Sequence, residues 1–304
     1  MTTDLTDLAA EITIDPRQAI GIPLALIGAI FLSLGAQFQH RGVNKIEATP
    51  TGATSGLNLR QLLLLLGRPS WVFGTVMLGL AIVFQLTSLG FAPIIVVQPL
   101  GAVALVLTAI LNARVSQVPL NHASKVAIAM CVGGVGLFVT VAAFTAVDKP
   151  VTDIDLITIL IVLAVVLALF GLAFGLLRSK FQAIFYILGA GVLYGFVATL
   201  AKVVITRTKY GDFDWLTLVC VVGLVAAAVL GGYFVQNAYS SGPPDLVIAG
   251  LTVIDPLVAV GIGIIVLGET SQAPAWAGLA FAIAGAVAIW GVFLLARYHP
   301  QLDR

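Results

Sequence analysis

The chain has 304 residues, of which 60% are hydrophobic and 10% charged, with a formal net charge of +1. No soluble domain of this length hides that much apolar surface, whereas a bilayer accepts it in helical runs of about 20 residues. The near-neutral charge says nothing about nucleic acid and no basic run suggests it, while runs that are continuous rather than alternating exclude a transmembrane barrel.

In chain order, the acids Asp4, Asp7, Glu11 and Asp15 precede the first apolar run. A secretory leader is basic there, so residues 1–18 read as a tail and the first helix as a retained span. Apolar runs predict helices at 19–39, 70–91, 93–113, 123–146, 154–177, 182–206, 215–239, 244–267 and 275–297. Residues 40–69 form the one long connection, and its stretch Glu47 to Asn58 has the Thr, Gly, Ser and Pro content of a loop. Within it Leu62 to Leu66 is too short to span, so residues 57–67 are at most a membrane-dipping tenth element. Residues 19–146 make a first transmembrane half, 147–297 a second, and 298–304 a C-terminal tail. Cys131 and Cys220 fall inside apolar segments and read as small buried side chains rather than a disulfide pair.

Nine spans divide the cations unevenly. Arg41, Lys45, Arg60, Arg68, Arg114, Lys125, Arg178, Lys180, Arg297 and Arg304 fall on one side, against Arg17, Lys149, Arg207 and Lys209 on the other. Lys and Arg accumulate on the cytoplasmic side, which predicts an outside N-terminus and an inside C-terminus in the cell membrane. The acids Asp148, Asp153, Asp155, Asp212, Asp214 and Glu269 then join the N-terminal acids outside. Small residues recur at helical spacing in Gly21–Ala25–Gly28–Gly35, Gly171–Gly175, Gly223–Ala227–Gly231 and Gly278–Ala282–Ala286. Such stripes let backbones approach closely inside a membrane.

One block repeats. Gln98-Pro99-Leu100-Gly101-Ala102-Val103 returns as Asp255-Pro256-Leu257-Val258-Ala259-Val260, with Asn112 and Glu269 at the same offset beyond each copy. Pro removes a backbone donor, leaving the carbonyls of Ile95 and Thr252 without their usual partners. Paired, Pro-interrupted helices in corresponding places mark transporters built from repeats.

Asp255 is the most informative residue. An ionised carboxylate at mid-membrane costs about 2.5–3.5 kcal/mol on insertion scales, so it faces a partner or a watered cavity. Its roles are a substrate, ion or proton contact, or else a neutral hydrogen-bonded acid or a structural ion pair with Lys202, which can alternatively snorkel to the interface. Gln85, Gln236 and Asn237 are either interhelical glue or pathway lining, and Glu269 is a cap, an interfacial residue or a gate. His40, His122 and His299 lie at segment ends. No Gly-rich loop followed by Lys-Ser/Thr, no HExxH and no GxSxG occurs. That leaves a gradient-driven carrier or channel rather than an enzyme.

The block Phe91-Ala92-Pro93-Ile94-Ile95-Val96-Val97-Gln98-Pro99-Leu100-Gly101-Ala102 resembles the "APATLVTPLGA" segment of the NIPA-type magnesium transporters, within the drug/metabolite transporter superfamily. Asp255-Pro256-Leu257 through Leu267-Gly268-Glu269, then Trp276-Ala277-Gly278, is similar to that superfamily's closing pattern, and Tyr194 through Lys202 to a family helix ending in Val-Lys. Three positions depart. Gln98 and Asp255 stand before the prolines in place of Thr or an apolar residue, and the first Pro helix ends in Asn112 without the family's following acid. The resemblance implies an all-α, EamA-like fold of nine or ten spans in two related halves, and a secondary transporter of a small solute, with magnesium as a candidate cargo and no cofactor.

The substrate or ion path is expected at Asp255, Gln98, Pro99, Pro256, Gln85, Gln236, Asn237 and Lys202, with Asp255 as the metal contact. The alternatives are an exporter of an amphipathic metabolite, drug or lipid, predicting a wide apolar cavity, and a non-transporting assembly subunit. The expected partners are the lipid bilayer and a small solute or ion, with homodimerisation left open.

Overall fold

A computed structural model describes residues 15–47, 67, 69–115, 121–177, 183–241 and 244–297. The described residues form ten helices and no strand: α1 (Pro16–Glu47), α2 (Pro69–Leu89), α3 (Ile94–Leu100), α4 (Ala102–Val115), α5 (His122–Thr145), α6 (Asp153–Leu177), α7 (Ala183–Tyr210), α8 (Trp215–Ser241), α9 (Pro244–Ile265) and α10 (Ala275–Arg297). Nine segments among them are long and apolar enough to cross a membrane, α3 and α4 together making one, Ile94–Val115. The expected span count therefore stands. The first helix is longer than expected. α1 runs on through residues 40–47, which sequence reading gave to the connection, and the segment 57–67 lies outside the described residues apart from Gly67.

The two Pro motifs behave differently. After Pro99 the helix tightens at Gly101, whose N–H reaches back to the Gln98 carbonyl at 3.1 Å, while Ala104 N–H reaches the Gly101 carbonyl at 3.0 Å. These three-residue bonds divide α3 from α4. Past Pro256 the same place holds Val258, and α9 continues unbroken to Ile265. A Gly is the weaker helix former, so the same proline divides one helix and not the other.

Packing repeats with the sequence. α1 lies along α2 as α7 lies along α8, and α1 meets α4 as α7 meets α9. The equivalents α3 and α9 touch each other, and so do α5 and α10. α6 is an odd extra span, so the second set runs opposite to the first. The start of α1 accordingly lies beside the end of α7, where the Arg17 guanidinium donates to the Tyr210 hydroxyl at 3.2 Å.

The glycine stripes pack in part as expected. Gly28 faces Ala81 and Phe84 of α2, Gly35 abuts Leu78, and Gly231 abuts Tyr194. Gly171 and Gly278 instead meet nothing, while Ala282 and Ala286 border a cavity rather than another helix. Spacing alone names a face without saying which way it turns. The closest helix contact uses glycines outside the stripes, Gly134 of α5 and Gly291 of α10, each set against the other helix's backbone. The outer faces are apolar. Ile154, Ile161, Leu169 and Leu172 on α6 are 57–75% exposed, which is stable against hydrocarbon and not against water.

Candidate functional site

α3 is the most deeply enclosed element. Ile94, Ile95, Val96 and Val97 are all 0% exposed, and Gln98 is buried beside them. It packs on α5, α9 and α1, which sets Pro99 near the middle of the bundle. Pro99 and Pro256 share one cavity of about 330 Å³, closed further by Val135 and Phe138 of α5 and Phe281 and Ile289 of α10. The single polar side chain in its wall, Thr252, already donates its hydroxyl to the Ile248 carbonyl at 2.8 Å. The cavity is therefore apolar in effect.

Asp255 and Gln98 do not line it. Successive residues on a helix turn by about 100°, so a proline facing the cavity aims its neighbour elsewhere. Asp255 sits on the α9 stretch that packs on α7, where Ile254 and Val258 press on Gly191 and Gly195. Its Oδ1 is enclosed with no hydrogen-bond partner among the described residues, and Tyr194 of α7 lies within electrostatic range. The two pre-proline polar groups and the cavity are thus separate features, not the single watered site expected from sequence.

The other candidates scatter. Gln85 is half-buried on α2, and Gln236 is exposed on α8. The Asn237 amide donates to Tyr233 O of its own helix at 2.7 Å. Lys202 neither pairs with Asp255 nor snorkels. It is 1% exposed, lies 2.9 Å from an Asp148 oxygen, and donates to the Ala92 carbonyl at 3.0 Å. The reason is position: Lys202 lies toward the end of α7, level with the chain that enters α3, whereas Asp255 is in mid-helix on α9.

That end of the bundle holds a polar knot. The Glu269 carboxylate accepts from Ile94 N–H at 2.7 Å and Ile95 N–H at 2.9 Å, the first donors of α3. Helix starts leave such donors unpaired, and a carboxylate satisfies them well. The local chain builds this. Gly268 takes a φ of +63°, which a residue with a Cβ rarely adopts, and turns Glu269 back so that its N–H meets the Gly263 carbonyl at 3.0 Å. Gly263 has no side chain where the carboxylate lies; a Cβ there would stand 2.8 Å from Oε2. Burial pushes the Glu269 carboxyl up to about 7, opposed by the N–H groups of Ile95 and Ile94 and by Lys202, and helped by Asp148.

Sequence reading named Glu269 and Asp148 as outward acids and missed this assembly. The available signal was the offset shared with Asn112. The two residues differ in use. Asn112 accepts from Gln37 of α1 inside the first half, beside the Thr108–Ser33 hydroxyl contact at 3.1 Å, whereas Glu269 ties the second half to the first. No group of three His, Cys, Asp or Glu side chains able to hold a metal ion occurs among the described residues.

The sequence model described as "Magnesium transporter NIPA" matches residues 17–187, ending before Lys202, Asp255 and Glu269. An uncharacterised protein of Corynebacterium glutamicum is 28% identical over 280 residues, spanning 91% of this chain and 95% of its own length. No solved structure matches the chain.

Proposed function

Because the chain belongs to the NIPA magnesium transporter family and is a multi-pass membrane transporter, we propose that its cargo is a divalent cation, Mg²⁺, and that Asp255 is the carboxylate it meets. The observation carrying this reading is Asp255 Oδ1, an enclosed acceptor with no partner, in mid-span on a Pro-bearing helix. A lone carboxylate in such a place is costly and is retained where it contacts a transported species. Mg²⁺ keeps several of its waters when bound, so one carboxylate suffices for a hydrated ion in passage, and a resident three-ligand site is not required. Gln98, at the equivalent place in the first half, is the second polar contact. The cation excess on one side of the membrane supports a cytoplasmic C-terminus and an outside N-terminus.

A second reading is favoured by the cavity. About 330 Å³ with apolar walls, bounded by both prolines, lies within the range of small-molecule sites and suits an amphipathic organic solute. Flux separates the two. Purified protein in proteoliposomes is expected to carry Mg²⁺ down its gradient, and Asp255→Asn to lower that flux at least about tenfold. Well-folded protein without Mg²⁺ flux, or an Asp255→Asn variant of wild-type rate, refutes the cation reading and moves the search to organic solutes.

A further inference from the structure

We infer that Glu269 is a gating residue of the transport cycle, closing one end of the bundle by tying the second half to the start of α3. This rests on the transporter reading and not on which cargo is carried.

The tie joins parts far apart in sequence. Glu269 follows α9 and holds Ile94 and Ile95 across 175 and 174 residues. Lys202 of α7 holds Ala92, two residues before α3, and pairs with Asp148 in the α5–α6 connection. Val147 N–H donates to the Glu269 carbonyl at 2.8 Å, so the same connection is bound twice. Glu269 and Lys202 are 2% and 1% exposed. With these contacts made, α3 is fixed at its first turn, and Val97 and Gln98 beneath it are sealed from that end.

The contact is also one-sided. The two halves run in opposite directions, so whatever Glu269 does at one end, the equivalent Asn112 is placed to do at the other. Asn112 instead bonds Gln37 within its own half. Among the described residues, the cross-half tie through these equivalent positions therefore exists at one end alone. In a carrier built from opposed repeats, access alternates by closing one end while the other opens. A tie at a single end is what one such state requires. The groups facing Glu269 are Lys202 from α7 and Asp148 and Lys149 from the α5–α6 connection, the last beside Gly268.

The test places a reporter cysteine at Val97, in a Cys131→Ala/Cys220→Ala background, and measures its labelling by a water-soluble maleimide on purified protein. Glu269→Ala removes both acceptor oxygens. Gly263→Ala keeps the charge and displaces the carboxylate. Each is expected to raise the labelling rate about tenfold or more, the scale of losing one charged hydrogen bond. Gly35→Ala, destabilising through a Cβ 2.9 Å from Leu78 in the α1–α2 pair, is expected to leave it unchanged. Unchanged labelling in Glu269→Ala and Gly263→Ala overturns the gate, and so does labelling that merely follows melting temperature across all three variants. Mg²⁺ flux on the same preparations keeps the two proposals apart. Faster labelling without wild-type flux retains the gate and rejects the cation, and the reverse pattern does the opposite.

Discussion

The α5–α10 crossing provides a test with a magnitude built in. A Cβ placed on Gly134 would stand 2.6 Å from Ala288 N, 2.8 Å from Ala284 O and 2.9 Å from Ala288 Cα, all backbone atoms. Side chains can swing away from such a clash, but backbone cannot. Restoring an ordinary separation of 3.4 Å requires the two helices to part by about 0.8 Å, the difference between 3.4 and 2.6 Å. Overpacking of this kind costs about 1–3 kcal/mol. Helix propensity gives back at most about 1 kcal/mol on replacing Gly by Ala, so Gly134→Ala is expected to be net destabilising. The controls sit on the same helix. Gly133 and Gly136 have nothing within 4 Å of an added Cβ, so Gly133→Ala and Gly136→Ala keep the propensity gain and avoid the clash. Thermal unfolding in one detergent, followed by the monodisperse fraction on size exclusion, should rank Gly134→Ala lowest and both controls at or above wild type. Equal melting temperatures for Gly133→Ala and Gly134→Ala would refute the backbone-to-backbone crossing. The outcome also bears on transport, because Val135, Phe138 and Ala288 beside this crossing form part of the cavity wall.

Two further outcomes follow from the polar knot. Removing one partner of a buried ion pair costs about 3–5 kcal/mol when the other charge is left buried. Asp148→Asn, which removes the carboxylate that lies 2.9 Å from the enclosed Lys202, should therefore destabilise more than Lys202→Met, which leaves Asp148 able to meet water; thermal melts of the two variants and of their double mutant read this. The Glu269 carboxyl, held up to about 7 by burial in the latched state, returns toward 4.3 once opened to water. The latched state then binds more protons between these values, so acid favours the latch and raising the pH from 5 to 8 loosens it. Val97→Cys labelling, divided by that of the Glu269→Gln variant to remove the thiol's own titration, should rise over this interval, and a flat ratio would contradict it.

The spans were legible because a bilayer sets one simple requirement, about 20 apolar residues in a row, and the chain meets it nine times. The repeat was legible as well, through a proline that physical chemistry makes conspicuous. The arrangement of side chains was not. Asp255 and Pro256 are adjacent in sequence yet face different surroundings, because one residue of helix is about 100° of rotation. The stripe at Gly278 has the spacing of a contact and borders open space and the cavity instead, while Gly134 and Gly291, in no regular series, carry the tightest crossing.

The Glu269 knot shows why pairing lies beyond such reading. Ala92, Asp148, Lys202 and Glu269 come from four separate connections and helices, and only the fold places them at one end. What the sequence does hold is each local condition for it: a Gly at 268 that permits the turn, a Gly at 263 that leaves room for the carboxylate, and a Pro at 93 that starts α3 with its donors free. Each is ordinary alone. Together they position a carboxylate against the start of the deeply buried α3, and a transporter that alternates access needs a contact of this kind, able to form in one state and be given up in the other.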